Sequence, residues 1–298
     1  MTIEAGATLA IPRSVADLRA HMASYRRAGE TVALVPTMGA IHDGHLALVR
    51  AGRSLCRRVI ASIFVNPSQF GPNEDFRNYP RDEAGDLAKL AAAGIDAVFM
   101  PTAAAMYPPG FSTTVSVARV SEGLCGDFRP GHFAGVATVV AKLLLQARPD
   151  VALFGEKDYQ QLQVVKRLVL DLDIPVRIEG VATVREPDGL ALSSRNAFLS
   201  PAERRTAPHL HQVLVRIAEA LAQGASAKAL LAEGAAELAD AGFAPVQYLE
   251  LRDAETLAPL ARAQRPGRLI AAAYLGRTRL IDNVAVAAAP RGEGGGVS

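Results

Sequence analysis

The chain has 298 residues, half of them hydrophobic and 21% charged, enough apolar material for a substantial core in one large or two moderate domains. Its 32 basic and 30 acidic side chains leave a net charge of +2, so neither nucleic acid nor an anionic membrane is indicated, and any affinity for anions must be built locally. Two cysteines, Cys56 and Cys125, lack metal-site or disulfide-framework spacing and are expected as small buried residues.

The first thirty residues carry no unbroken apolar stretch. They predict a helix opened by Ser14, with Val15, Leu18, Met22 and Tyr25 at helical spacing. No uncharged apolar run reaches membrane-spanning length; the nearest, 136–145, carries Lys142, and the expectation is a cytoplasmic protein. Short aliphatic runs at 31–36, 59–65, 97–100, 151–154 and 176–184 then alternate with helical periodicity at 45–57, 83–93, 136–147 and 159–170. That alternation predicts an α/β domain over residues 1–185, a doubly wound parallel sheet whose ligands bind beyond the carboxyl ends of the strands. Alanine-rich helices after Pro201 and Ser226, then strands at 246–251, 269–274 and 279–286, predict a smaller α+β domain over 186–290. The Gly-rich stretch 291–298 is expected to be a disordered tail.

The unusual residues cluster in the turns that follow the apolar runs. After the first comes Pro36-Thr37-Met38-Gly39-Ala40-Ile41-His42-Asp43-Gly44-His45, a turn with two imidazoles at a helix start. Helix N-termini present N–H groups and a positive dipole suited to phosphate, glycine permits close approach, and histidines donate to oxygens that gain charge. His-x-Gly-His at this place is the signature of nucleotidyl transfer at an α-phosphate; helix capping is the plainer reading. Closing the second run, Asn66-Pro67-Ser68-Gln69 offers amides that orient a small polar substrate without adding charge. Gly155-Glu156-Lys157-Asp158 follows a later strand, with Lys157 suited to phosphate, Asp158 to ribose hydroxyls and Gln161 three residues on. Leu192-Ser193-Ser194-Arg195-Asn196 places two hydroxyls beside a guanidinium that can offset pyrophosphate charge. Gly126-Asp127-Phe128-Arg129-Pro130-Gly131-His132 is equally readable as a site wall or as a structural turn.

In this order, PTMGAIHDGH, FVNPSQF, GDFRPGHFAGVATVV, FGEKDYQQL and GLALSSRN closely resemble the pantoate–β-alanine ligase (pantothenate synthetase) family, over about residues 11–286. The resemblance implies a Rossmann-like, His-x-Gly-His nucleotidyltransferase fold, similar to class I aminoacyl-tRNA synthetases. It also implies ATP-dependent joining of pantoate to β-alanine through a pantoyl-adenylate, with Mg2+ on the triphosphate and a homodimer. Carried over by residue, it puts ATP against Met38, Gly39, His42, Gly44, His45, Gly155, Glu156, Lys157, Asp158, Val184, Leu192, Ser193, Ser194 and Arg195. His45, His42, Lys157 and Arg195 form the expected catalytic set, with His45 the proton donor. Gln69, Gln161, Asn66 and Met38 are expected around pantoate, with Gln69 also near β-alanine. The metal has no ligands readable in the sequence, since phosphates and water can hold it. The synthetase loop Lys-Met-Ser-Lys-Ser is here Leu-Ser-Ser-Arg-Asn, so Lys157 and Arg195 must share the phosphate work. A transferase acting on a phosphorylated acceptor would want basic residues beside Gln69, and Asn66-Pro67-Ser68-Gln69 offers none; an RNA-binding relative would want a basic face, whereas the net charge is near zero and no basic run is long. A silent nucleotide-binding paralogue would have no need of both histidines and Lys157.

Overall fold

The structure, a computed structural model, describes residues 9–72, 74 and 76–290. The tail expected over 291–298 lies outside them. In chain order the elements are α1 (Val15–Arg27), β1 (Val32–Thr37), α2 (Asp43–Leu55), β2 (Arg58–Ile63), α3 (Glu83–Ala92), β3 (Ala97–Phe99) and α4 (Ala103–Met106). There follow α5 (Cys125–Phe128), α6 (His132–Ala147), β4 (Val151–Gly155), α7 (Tyr159–Asp171), β5 (Arg177–Val181) and α8 (Pro201–Thr206). Last come α9 (His209–Ala222), α10 (Ala227–Asp240), β6 (Phe243–Asp253), β7 (Gly267–Leu275) and β8 (Thr278–Val286). Among the described residues no helix is long and apolar enough to cross a membrane.

The chain divides into two compact units. The first runs to Ser121 and takes in Arg129–Glu156 and Val164–Ala182; the second comprises Glu122–Phe128, Lys157–Gln163 and the chain from Thr183 on. This is not a single cut at residue 185. Gln160 explains part of the difference: its side chain accepts from Cys125 N and donates to the carbonyls of Glu122 and Gly123. Tyr159 Oη likewise donates to the Ala254 carbonyl, 2.8 Å away.

In the first unit five strands form a wholly parallel sheet in the order β3-β2-β1-β4-β5. Alternate residues leave opposite faces of each strand. Ala33, Val35, Val59, Ala61, Val151 and Leu153 meet Leu48 and Val49 of α2 in one core, while Leu34, Ile60 and Ala152 are buried as well. Strands buried on both faces read as the continuous apolar runs seen in the sequence. The strand order reverses direction between β1 and β4, so the turn after β1 lies at the place where such sheets bind ligands. Ser14 caps α1 as expected, accepting from Asp17 N at 3.1 Å. The strand expected over 176–184 stops at Val181, because the chain beyond it folds back on itself.

The second unit has an antiparallel sheet, β6-β7-β8, whose inner face packs on α9 and α10. Phe243, Leu249, Leu269, Ala271, Leu280 and Val286 meet Leu210, Leu214 and Ile217 there. Of the two cysteines, Cys56 is buried as expected, but Cys125 is only half-buried at the start of the short helix α5.

Candidate active site

In the first unit the turn after β1 is braced from two sides. Thr37 Oγ1 donates to the Ser62 carbonyl on the neighbouring strand and accepts from Gly39 N. The buried Asp86 carboxylate of α3 accepts from Ala40 N at 2.8 Å and Ile41 N at 2.7 Å, while Lys89 Nζ donates to the Ile41 carbonyl at 2.8 Å. Gly39 has φ +86°, and a Cβ there would lie 2.9 Å from Asp86 Oδ2, so this position demands glycine on both counts.

The turn delivers His42 as the N-cap of α2 with extended backbone. Its Nδ1 accepts from Gly44 N at 3.1 Å, and His45 Nδ1 accepts from His42 N at 3.3 Å, a reciprocal cap made of two imidazoles. The ring centroids stand 4.1 Å apart. Because both Nδ1 atoms accept, the neutral rings carry their protons on Nε2. Capping and phosphate donation are therefore compatible: the cap uses one nitrogen of each ring and sets the tautomer of the other.

The 3-10 turn Pro67–Gln69 carries the amides. Asn66 is buried, and its Nδ2 donates to Gln69 Oε1 at 3.0 Å and to the Gly135 carbonyl at 3.2 Å. Its Oδ1 accepts from Ser68 N, Ser68 Oγ and, at 2.7 Å, Tyr107 Oη. With its donors so used, Asn66 acts by orienting Gln69. That orientation aims Gln69 Nε2 at Met38 Sδ, 3.2 Å away, so the structure brings Met38, Asn66 and Gln69 together.

The segment that sequence reasoning left without a role fixes the same turn from the other side. His132, at the start of α6, donates Nδ1–H to the Gln69 carbonyl at 2.8 Å, and Arg129 donates to that oxygen at 3.3 Å and to His132 Nε2 at 3.0 Å. Arg129 also forks onto Glu74, Nε to Oε1 at 2.7 Å. Burial pushes the Glu74 carboxyl up, but the hydrogen bonds and charge of Arg129 outweigh it and hold the group below its ordinary value. Nothing local in the sequence marks these contacts; a basic residue and a histidine ahead of a helix was the only signal. In the loop that follows this turn, Tyr79 is buried against Phe70, and Arg81 donates to the carbonyls of Phe76 and Arg77. Gly155 ends β4, and Glu156 opens the 3-10 turn that follows it.

In the second unit Lys157 is mostly buried, with Nζ 3.3 Å from Asp158 Oδ2, and Asp158 is the more exposed partner. Gln161 sits half-buried in the first turn of α7. Val184 and Leu192 close a chain reversal, Leu192 N donating to the Val184 carbonyl at 3.0 Å. Ser193 then caps a 3-10 turn over Ser194–Phe198, its Oγ accepting from Arg195 N at 3.2 Å. Ser193, Ser194 and Arg195 are thereby consecutive on one short, capped segment.

Comparison with known proteins accords with this chemistry. The family model described as pantoate-beta-alanine ligase matches residues 10–285. The chain is 60% identical to the pantothenate synthetase of Paramagnetospirillum magneticum, covering 93% of this chain and 97% of that one. It is also 60% identical to that of Rhodospirillum rubrum, over 93% and 99%. A crystal structure of pantothenate synthetase from Thermus thermophilus superposes with a TM-score of 0.87 at 47% identity, covering 95% of this chain and all of that one. A pantoate-beta-alanine ligase from Francisella tularensis, complexed with beta-gamma ATP and beta-alanine, does so with a TM-score of 0.78 at 33% identity, over 93% and 97%. With sequence and fold matched almost end to end, the chain belongs to the pantoate–β-alanine ligase family.

Proposed function

We propose that this chain condenses pantoate with β-alanine to give pantothenate, driven by ATP through a pantoyl-adenylate. A pantoate carboxylate oxygen attacks the α-phosphorus, the bond to the bridging oxygen of pyrophosphate breaks, and pyrophosphate leaves. The β-alanine amine then attacks the acyl carbon, loses a proton, and expels AMP. Adenylylation turns a poor leaving group into a good one, and the mixed anhydride must be kept from water.

The observation that carries this reading is the imidazole pair at the start of α2. Two rings 4.1 Å apart, both accepting at Nδ1 from backbone N–H groups, offer Nε2–H donors at a helix N-terminus, where charge on phosphate is stabilised. His45 is the proton donor, assisted by His42, with Met38, Gly39 and Gly44 lining the nucleotide. Gln69 holds pantoate through a neutral amide, which leaves the carboxylate nucleophilic; Asn66 acts through Gln69, and Gln161 is a second amide for pantoate. Gly155, Glu156, Asp158, Val184 and Leu192 complete the nucleotide contacts. Lys157, Ser193, Ser194 and Arg195 meet the phosphates. Mg2+ belongs to the Mg-ATP substrate. Among the described residues no group of three or more His, Cys, Asp or Glu side chains is arranged for a metal, so its ligands in this reading are phosphate oxygens and water. Family likeness extends the reading to a homodimer, to a first domain that binds ATP and pantoate, and to the cytoplasm.

ATP–pyrophosphate exchange tests the reading. Exchange should require pantoate, proceed without β-alanine, and vanish in His45→Ala while the fold is kept. Exchange at the parental rate in His45→Ala would remove that imidazole from the chemistry. Exchange indifferent to pantoate would remove the pantoyl-adenylate.

A further inference from the structure

Two adjacent residues of the second unit's sheet hold both of its proposed phosphate-binding segments. Asp282 and Asn283 lie side by side on β8, so their side chains leave opposite faces, and both are buried, at 3% and 2% exposure. On one face the Asp282 carboxylate takes a two-point grip from Arg185, Nη1 to Oδ2 at 2.6 Å and Nη2 to Oδ1 at 2.9 Å. The same guanidinium donates to the carbonyls of Gly189 and Asn283. It thereby fixes the reversal that begins at Val184 and closes with Glu186 N on the Leu190 carbonyl and Leu192 N on the Val184 carbonyl. Ser193, Ser194 and Arg195 follow directly. On the other face Asn283 Nδ2 donates to the backbone carbonyl of Lys157 at 2.9 Å. Its Oδ1 accepts from Arg268 Nε at 2.5 Å, and that guanidinium lies 4.2 Å from the ring centroid of Tyr159, two residues beyond Lys157.

A sheet that already has an apolar core gains little from a buried ion pair, because the cost of desolvating both charges offsets most of their attraction. What the polar pair supplies, and an apolar pair could not, is direction. Asn283 sets the carbonyl of Lys157, and Asp282, through Arg185, sets the reversal that delivers the Ser193–Arg195 segment. Burial pushes the Asp282 carboxyl up, yet the His211 ring and the Arg185 guanidinium outweigh it, so the group stays charged and can hold the fork.

We infer that Asp282 and Asn283 are positioning residues for adenylylation, aiming Lys157 and Arg195 without touching substrate. The inference rests on the proposal that Lys157 and Arg195 meet the triphosphate. Asn283→Asp is the sharpest probe: it keeps the shape and the acceptor for Arg268 but replaces the donor facing the Lys157 carbonyl with an acceptor. Pantoate-dependent pyrophosphate release in Asn283→Asp should fall about 10- to 100-fold in kcat, with the KM for ATP changed much less. In a Lys157→Ala background the same substitution should add less than about 2-fold, since the group it positions is already gone. Arg185→Lys keeps the charge but loses the fork, and should slow the parent about 10-fold and the Arg195→Ala variant by a clearly smaller factor, the remainder acting through Ser193 and Ser194. Equal factors in parent and variant backgrounds would show that β8 acts through general stability and would overturn the inference. If Lys157→Ala is slow while Asn283→Asp matches the parent, the inference falls and the role of Lys157 stands. If Lys157→Ala matches the parent, both fall.

Discussion

Gly135 is where a single added carbon should disturb pantoate binding. It lies in the first turn of α6, and a Cβ built there would be 2.2 Å from the Ser68 carbonyl oxygen, 2.5 Å from its carbon and 2.7 Å from Gln69 N. All three atoms are backbone, so no side-chain rotation relieves the overlap. A carbon needs roughly 3.3 Å to a carbonyl oxygen, so one segment must move by about 1 Å. α6 is buried along most of its length, which leaves the three-residue turn Pro67–Gln69 to give way. That turn carries Gln69, and the Asn66 bond to the Gly135 carbonyl would be strained with it. A shift of about 1 Å in a substrate-positioning group costs on the order of 100-fold in rate. Overpacking of this kind costs about 1–3 kcal/mol, or roughly 2–10 °C in Tm. Initial rates of pyrophosphate release, with pantoate varied at saturating Mg-ATP, should show Gly135→Ala losing kcat/KM for pantoate while the KM for ATP moves little. A variant with parental kcat/KM for pantoate and parental Tm would refute the assignment of the turn's geometry to Gly135.

Gln69→Ala should raise the pantoate requirement more than the ATP requirement in the same assay, and the opposite pattern would misplace the carboxylate. Asp86→Asn leaves one backbone N–H of the turn facing a donor, so Tm should fall by the equivalent of about 1–3 kcal/mol, with slower ATP–pyrophosphate exchange; unchanged Tm and exchange would contradict the brace. Glu74, held below its ordinary 4.5 by Arg129, contributes stability that is complete above about pH 4.5 and drains as the pH falls through its depressed value. Urea midpoints at about pH 7 and about pH 4 should therefore differ less in Glu74→Gln than in the parent, and equal differences would show that the pair adds nothing.

Much of this was legible because it is local. The apolar runs at 31–36, 59–65, 97–100 and 151–154 became β1 to β4 within two residues, since strands buried on both faces show in the sequence as unbroken aliphatic text. His42 and His45 stand where the turn after the first run placed them, because capping is decided within one helical turn. What stayed hidden is long-range. Asp86 braces the histidine turn from 46 residues away, His132 reaches the Gln69 carbonyl across 63, and Asn283 holds Lys157 across 126. Each is an ordinary polar residue in its own neighbourhood, and only the packing of α3, α6 and β8 gives it a partner. Asn66 illustrates the same limit: its type suited a substrate contact, but its two N–H donors are taken up by Gln69 and Gly135.

The most direct measurement follows pyrophosphate, AMP and pantothenate from the purified protein with Mg-ATP, adding pantoate first and β-alanine second. Pyrophosphate released on pantoate alone, up to about one equivalent per chain, with AMP and pantothenate appearing together only after β-alanine, is the predicted result. AMP and pantothenate formed without prior pyrophosphate release, or no turnover on pantoate at all, would contradict the two-step ligase chemistry assigned to His45 and Gln69.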